Sequence, residues 1–366
     1  MLSKTCRSAS SLRSRTSVPF QMTTTTTPVP SELHETPYDE LNSYTAGLVS
    51  LVGNLVLITA TSKVKVYSES FRKTQYYVCI LRLLFSAVVV LTSPTLVYVA
   101  RMKSLYIVKG GVSLPFPVGT VFLVLFVFFV VISCSSPTVQ YLQLCHLLSD
   151  KGHRHDKFGP IISTVSVLTG LPALALVSIG YTPTQYEMLE SREIVYYLNG
   201  EGDSAFLMVT VNRRKDVSTG EPTLDVMASV CTYYILTVMV LSVLTVLVAT
   251  VYIQRQLKRK TMSEAAKKSQ HQINLVLALQ FTLPFLTVHV PFYMSFILPM
   301  FDVENTFLSS NLPFLFSWCP AINPILVMLM VKNVRDRLLC RKSSSKVSSS
   351  NIIQVRHSQV LSARAQ

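Results

Sequence analysis

Polar side chains recur inside the long apolar runs of this sequence, and several of them stand beside prolines. In the stretch "SWCPAINPILVMLMVKNVRDRLLC" at 317–340, Asn323 is followed by Pro324. The other residues of this kind are Asn54, Gln280, Pro284 and Pro291. Proline lacks a backbone N–H and frees a carbonyl of the preceding turn, which a side-chain donor or water then satisfies. We therefore expect the Asn323 side chain to hydrogen-bond at the break made by Pro324, so that the helix can bend there. A static kink is the alternative.

The apolar runs contain few residues that could carry out catalysis or ion-coupled transport. They contain no paired carboxylates, no Ser/His dyad at a recognisable motif and no His-x-x-x-His spacing, whereas proton pumps and ion-coupled transporters usually need intramembrane charges. A covalently bound chromophore would need a Schiff-base lysine inside the last apolar run. Lys332 lies at the edge of that run, so covalent attachment of a chromophore is not expected. The "HRH" at 153–155 fits a solvated loop better than a metal site. The sequence predicts neither an enzyme nor a cofactor.

Arg82 is the charged residue that lies well inside an apolar run. Because it stands near the predicted inner end of its span, snorkelling of the side chain to the membrane surface explains it. The alternative is that its guanidinium binds a partner at the inner face of the protein.

The composition predicts a membrane protein. Of 366 residues 49% are hydrophobic and 14% charged, against roughly 25% charged in ordinary soluble domains. A bilayer core needs about 20 helical residues, and seven apolar runs satisfy that length. The predicted spans are 44–62, 77–100, 118–141, 158–180, 226–253, 273–298 and 311–331. A β-barrel is disfavoured, because "VGTVFLVLFVFFVVI" at 118–132 does not alternate.

The basic residues indicate an orientation. Segments 63–76, 146–157, 254–272 and 332–366 hold 21 Lys and Arg, against 7 in the loops between them. The positive-inside rule places the C-terminus in the cytoplasm and the N-terminus outside. Because the basic residues follow this rule, the net charge of +14 does not indicate that the protein binds nucleic acid.

The flanking segments are read from composition. Residues 1–43 are predicted to be a disordered extracellular tail, a transit peptide at 1–20 being the less favoured alternative. Residues 332–341 are predicted to form a short cytoplasmic amphipathic helix, and 342–366 a disordered cytoplasmic tail.

Motifs follow one another in a characteristic order in the last quarter of the chain. They are "MSEAAKKSQHQ" at 262–272, "LALQFTLPFLTVHVP" at 277–291 and "CPAINPILVMLMVKNVRDRL" at 319–338, and "GNLVLI" at 53–58 fits the first helix. The stretch from about Met262 to Leu339 resembles the nematode serpentine chemoreceptors of the str, srj and srd grouping. The resemblance implies an all-α, GPCR-like bundle of seven transmembrane helices.

Three positions depart from the family's pattern. Its Tyr-Arg-Tyr at the inner end of helix three appears as Val139-Gln140-Tyr141, the acid before the last proline is Asn323, and the aromatic before the terminal arginine is Val334. No cysteine falls in the predicted outer loops, so a disulfide between those loops is not expected.

The resemblance implies a cavity, open to the outside, for a volatile or apolar small molecule. Residues predicted to bind it are Tyr233, Tyr234, His289, Tyr293 and Trp318, with plain packing as the alternative for each. Gln280, Pro284, Pro291, Asn323 and Pro324 are predicted to form the activation hinge. The location implied is the plasma membrane, with a sensory cilium as a candidate site.

On the inner side the resemblance implies a heterotrimeric G protein. Residues predicted to face it are Gln140, Tyr141, Arg255, Lys258, Arg259, Lys260, Lys267, Lys268, Arg335 and Arg337. Attraction to anionic membrane lipid explains the basic members without a partner protein. Cys340 is a candidate for palmitoylation, and phosphorylation of the serine-rich end would make an arrestin a candidate partner.

Two other functions stay open on the residues alone. Gln140 in place of an arginine fits a seven-helix structural or scaffold protein that does not couple to a G protein. A channel or transporter is the less favoured alternative.

Overall fold

The chain is an integral, multi-pass helical membrane protein. Its computed structural model describes residues 37–63, 69–99, 103–108, 114–149, 158–199, 204–210, 214–215, 222–223, 225–259, 264–301, 303, 306–331 and 335. Seven helical segments among them are long and apolar enough to cross a membrane: Leu41–Ser62, Arg72–Thr92, Val118–Leu148, Pro160–Gly180, Val226–Arg259, Asn274–Ser295 and Asn311–Met330. The predicted fold class is confirmed.

The helices are named in chain order. They are α1 (Pro37–Lys63), α2 (Glu69–Thr92), α3 (Val118–Leu148), α4 (Phe158–Gly180), α5 (Gln185–Asn199), α6 (Val226–Arg259), α7 (Glu264–Pro284), α8 (Val290–Met300) and α9 (Thr306–Met330). A π-helical turn, Phe285–His289, joins α7 to α8. Residues 37–43, predicted to belong to a disordered tail, instead form the start of α1. The predicted segments 1–43, 332–341 and 342–366 are otherwise outside the described residues, apart from residue 335.

A three-stranded antiparallel sheet lies at one end of the bundle, which we call the sheet end. It consists of β1 (Pro94–Val99), β2 (Lys103–Val108) and β3 (Phe206–Thr210) in that order. Residues 105–108 of β2 and 206–209 of β3 are buried throughout, which explains why these strands are apolar on both faces. A second pair, β4 (Arg214–Lys215) and β5 (Pro222–Thr223), is also antiparallel.

The second span ends earlier than predicted. The sequence predicts helix as far as residue 100, but α2 ends at Thr92 and residues 94–99 form β1. Ser93 adopts a positive φ of 34° and donates its N–H to the Val89 carbonyl, which is a common way for a helix to close. Pro94 then has no N–H with which to continue the helix.

The third span runs further than the predicted 118–141, to Leu148. The polar stretch at 133–140 stays helical because its hydroxyls bond locally: Ser133 donates to the Val130 carbonyl at 2.8 Å, and Ser135 donates to the Ile132 carbonyl at 3.0 Å. Ser135 also lies 2.7 Å from Ser166 of α4. Small hydroxyl side chains thus pack one span against another.

The short helix α5 was not predicted, although its start carries a recognisable signal. Thr184 and Glu187 form a capping box, in which the Glu187 carboxylate accepts from the Thr184 N–H at 2.8 Å and the Thr184 hydroxyl accepts from the Glu187 N–H at 3.4 Å. The "TQYE" at 184–187 is the Thr-x-x-Glu pattern of such a box.

Helices α1 and α9 are joined at the position of the Pro324 break. Pro324 cannot donate to the carbonyl of Pro320, four residues earlier, and Asn54 of α1 instead donates its Nδ2 to that carbonyl at 3.4 Å. The neighbouring Gly53 allows the close approach, since a Cβ there would lie 3.1 Å from Pro324 Cγ. The freed carbonyl therefore accepts its hydrogen bond from another helix and not from Asn323, which donates to the Cys319 carbonyl.

Replacing Asn54 by alanine should leave the Pro320 carbonyl without a donor and lower the free energy of unfolding by about 1–3 kcal/mol. In a Pro324→Ala background residue 324 regains its N–H, so the same Asn54→Ala change should cost less. Thermal unfolding of the purified protein in detergent measures both effects. Asn311→Ala is the control, because the Asn311 amide bonds within its own helix; additive effects of the two substitutions would contradict the assignment.

Candidate functional site

Four aromatic rings form a packed layer beneath the sheet, which we call the aromatic layer. They are Tyr106 from β2, Phe126 from α3, Phe292 from α8 and Phe316 from α9, all fully buried. The ring centroids of Phe126 and Phe316 are 5.0 Å apart, and the Tyr106 ring lies 6.0 Å from Phe292. Tilted and edge-to-face pairs of this kind are favourable. The layer therefore ties the sheet to three of the spans.

The Tyr106 hydroxyl fixes the sheet to α8 by a hydrogen bond. Its oxygen lies 2.6 Å from Ser295 Oγ, and the Ser295 hydroxyl itself donates to the carbonyl of Phe292. Since a serine hydroxyl has one proton, Tyr106 is the donor of the pair. Burial raises the pKa of Tyr106, so the phenol remains protonated and able to donate at physiological pH.

His289 is a buried polar residue at the end of the π-helical turn. It is 2% exposed, and neither of its ring nitrogens has a hydrogen-bond partner among the described residues. A neutral imidazole offers one donor and one acceptor, and leaving both unmade is costly. Phe292 and Tyr293 follow three and four residues later and share its side of the helix. π-helical turns are frequent at functional sites, and His289 can supply a polar anchor beside apolar rings.

Two of the other predicted ligand-binding residues already hold partners inside the bundle. Tyr293 is buried, and its hydroxyl donates to the Ile235 carbonyl of α6 at 3.5 Å. Tyr234 reaches α4, where its hydroxyl donates to the Thr169 carbonyl at 2.7 Å. The longer of these bonds leaves Tyr293 the weaker held of the two.

Trp318 and Tyr233 lie apart from His289 in their contacts. The Trp318 indole N–H donates to Asn42 Oδ1 of α1 at 2.7 Å. Tyr233 is 54% exposed on the outer surface of α6, where the membrane would surround it. The structure thus brings His289 and Tyr293 together and leaves Tyr233 outside the bundle.

A cavity of about 30 Å³ lies deeper in the bundle, between α2, α3, α7 and α9, and we call it the inner cavity. Polar residues in its wall are Arg82, Ser133, Ser136, Gln280 and Asn323. Gln280 Nε2, Asn323 Oδ1 and Arg82 Nη1 are buried and have no hydrogen-bond partner among the described residues. Such a group of buried, unpaired polar atoms is uncommon in a protein interior.

The five predicted hinge residues divide between the inner cavity and other contacts. Gln280, Pro284 and Asn323 line the cavity, and Pro284 directly precedes the π-helical turn. Asn323 Nδ2 donates to the Cys319 carbonyl, four residues earlier, at 3.3 Å. Pro324 faces Gly53 of α1, and Pro291 lies in the first turn of α8.

The snorkelling prediction for Arg82 is wrong. Arg82 is 9% exposed and lies at the middle of Arg72–Thr92, about 15 Å from either end at 1.5 Å per residue. Its side chain cannot reach either surface from there and instead lines the inner cavity.

Gln140 and Tyr141 are buried, contrary to the expectation that they face a partner protein. Because α3 continues to Leu148, these residues lie inside the bundle, and Gln140 Nε2 donates to Gln75 Oε1 of α2 at 3.3 Å. The predicted residues that are exposed are Arg255, Lys258, Arg259 and Arg335. Lys260, Arg337, Cys340 and the side chains of Lys267 and Lys268 lie outside the described residues.

Sequence reasoning missed Tyr106 and Ser295, which carry the contact between sheet and spans. The signal for Tyr106 is the apolar, β-branched and aromatic run "SLYIV" at 104–108, which is typical of a buried strand. Ser295 carries no local signal, because its partner lies 189 residues away.

Most of the chain matches a known receptor family and a known fold. A family model described as serpentine type 7TM GPCR chemoreceptor Str matches residues 40–339. The crystal structure of squid rhodopsin is similar, with a TM-score of 0.55 and 12% identity over 83% of this chain and 84% of the rhodopsin chain. At that identity the likeness concerns the fold alone. No curated protein sequence matches.

The bond between Tyr106 and Ser295 should be measurable by a double-mutant cycle. Tyr106→Phe and Ser295→Ala should each lower the free energy of unfolding, with a coupling of about 0.5–1.5 kcal/mol between them. Unfolding of the four purified proteins in detergent gives the coupling. Tyr233→Phe is the matched control, since that ring is exposed; a coupling near zero would contradict the assignment.

Proposed function

The chain belongs to the serpentine type 7TM GPCR chemoreceptors of the Str family, and from this premise we propose that it is a chemosensory receptor of the plasma membrane. It binds a small molecule at the sheet end, from outside, and signals to a heterotrimeric G protein at the opposite end. The family and the fold are those of receptors rather than of enzymes.

The observation that carries the proposed ligand site is His289, buried with two unpaired nitrogens next to aromatic rings. A ligand suited to this place is small and mainly apolar, with one group that donates or accepts a hydrogen bond. Tyr293, whose hydroxyl is held by one long bond, is the second proposed contact. Trp318, Tyr234 and Tyr233 are better explained by packing or by lipid.

Ligand binding in this proposal acts on the joint between α7 and α8. His289 closes the π-helical turn, and Pro284 precedes it. A ligand shifts the balance between two arrangements only as far as it binds one of them better. The proposed hinge comprises Gln280, Pro284, Pro291, Asn323 and Pro324, and the turn lets α8 move relative to α7.

In this proposal the described structure is the arrangement in which the helices are closed at the end opposite the sheet. Gln140 is paired with Gln75 and Tyr141 is buried. These two residues therefore become accessible to the G protein only after the helices separate. Exposed Arg255, Lys258 and Arg259 are proposed to contact the G protein or anionic lipid beforehand. Palmitoylation at Cys340 and binding of an arrestin remain proposals of the same kind.

His289→Phe should abolish or weaken the ligand response by about tenfold or more, because the ligand loses a buried hydrogen bond that ring packing cannot replace. Reporter cells that express the chain with a promiscuous G protein, screened with a library of volatile compounds, provide the dose–response curve. Surface expression is measured in parallel.

Tyr233→Phe is the control for that measurement and should leave the curve unchanged, since Tyr233 is exposed. Equal curves for the wild type and His289→Phe would refute the proposed anchor. A ligand-gated current without any G protein would instead indicate a channel.

The proposed orientation is tested by an epitope tag at each terminus. In unpermeabilised cells the N-terminal tag should stain and the C-terminal tag should not, because segments 63–76, 146–157, 254–272 and 332–366 hold most of the Lys and Arg, and the positive-inside rule places them in the cytoplasm. After permeabilisation both tags should stain. Staining of the C-terminal tag in intact cells would reverse the orientation and remove the basis for an outer ligand site.

A further inference from the structure

The guanidinium of Arg82 is a buried charge without a counter-charge. Its Nη1 has no hydrogen-bond partner among the described residues, and the residues in the wall of the inner cavity include no Asp or Glu. Arginine stays protonated in proteins. An unpaired ion in a low-dielectric interior carries a large desolvation cost, so this position needs negative charge from outside the wall.

The inner cavity offers a place for that charge. Its volume of about 30 Å³ compares with roughly 10–15 Å³ for the least space that holds one water molecule. One monatomic anion, somewhat larger than a water, fits this volume, whereas an anion as large as gluconate does not. Because the cavity is so small, an ion inside it touches more than one wall at once.

A second unpaired donor faces the same space. Gln280 Nε2 is buried, lacks a partner and lines the cavity with Arg82. A spherical anion accepts hydrogen bonds from any direction, and bonds to a charged acceptor are the stronger ones. Asn323 Oδ1 is an unpaired acceptor in the same wall, and it suits a water molecule beside the ion.

We propose that the inner cavity binds a single small anion of the size of chloride, held by Arg82 of α2 and Gln280 of α7. The ion neutralises the buried guanidinium and links α2 to α7. The bound arrangement is stabilised relative to one in which these helices separate, since a ligand stabilises the state that binds it. This site is separate from the proposed ligand site at His289, and its test does not depend on signalling.

The test uses the purified full chain in detergent, with sodium chloride exchanged for sodium gluconate at constant ionic strength. The melting temperature should rise with chloride and then saturate, and bromide should act like chloride, while gluconate is too large for the cavity. Radioactive chloride should bind and be displaced by unlabelled chloride.

Variants locate the site. Arg82→Gln should lose the chloride response, and Gln280→Leu should weaken chloride binding by about tenfold, since it removes one bond to a charged partner. If Arg82→Gln fails to fold, chloride binding to Gln280→Leu still tests the site. Arg72→Gln is the matched control: Arg72 lies on the same helix near its start and is partly exposed, and this variant should keep the full response.

Three results would overturn the proposal. A wild type whose melting temperature does not respond to chloride, with no bound label, means that water alone fills the cavity. An equal chloride response in the wild type and in Gln280→Leu means a general salt effect. A wild type insensitive to chloride that becomes sensitive after Cys319→Ala means that the Cys319 thiolate, in the same wall, already supplies the charge.

Discussion

A backbone carbonyl without a donor is costly in an apolar interior, and the Pro320 carbonyl is such a group because Pro324 has no N–H to offer it. Asn54 supplies the missing donor from α1. The donor comes from another helix, so α1 must stay close to α9, and Gly53 leaves the room for this contact. A break in one helix is thereby converted into a bond between two helices.

The same requirement explains other features of the bundle. The hydroxyls of Ser133 and Ser135 bond to carbonyls of their own helix, which lets α3 continue through a polar stretch. At the sheet end the strands pair with one another, and Tyr106 bonds to Ser295. His289 and the wall of the inner cavity depart from this pattern. Among the buried polar atoms without a partner, those that share a cavity wall or lie beside aromatic rings are the places where a ligand or an ion gains most.

Local residue pattern was sufficient for the spans and insufficient for their ends and partners. Apolar length located seven spans, but the run across 77–100 reads as one segment although Ser93 and Pro94 divide it into a helix and a strand. Arg82 near a predicted span end looked like a snorkelling residue; the true helix start at Glu69 places it at mid-span. The predicted span ends at residue 141, which places Gln140 at the surface, whereas α3 continues to Leu148 and Gln140 is buried.

The sequence by itself determined the class of the fold, the number of crossings and the family, because apolar length, charge distribution and motif order are properties of the chain read in one direction. Tertiary structure decided which polar atoms have partners. Asn54 and Pro320 are 266 residues apart, and Tyr106 and Ser295 are 189 apart. A short-range pattern cannot report such pairs, since each depends on how separate helices pack together, and that packing also leaves His289 and Arg82 unpaired.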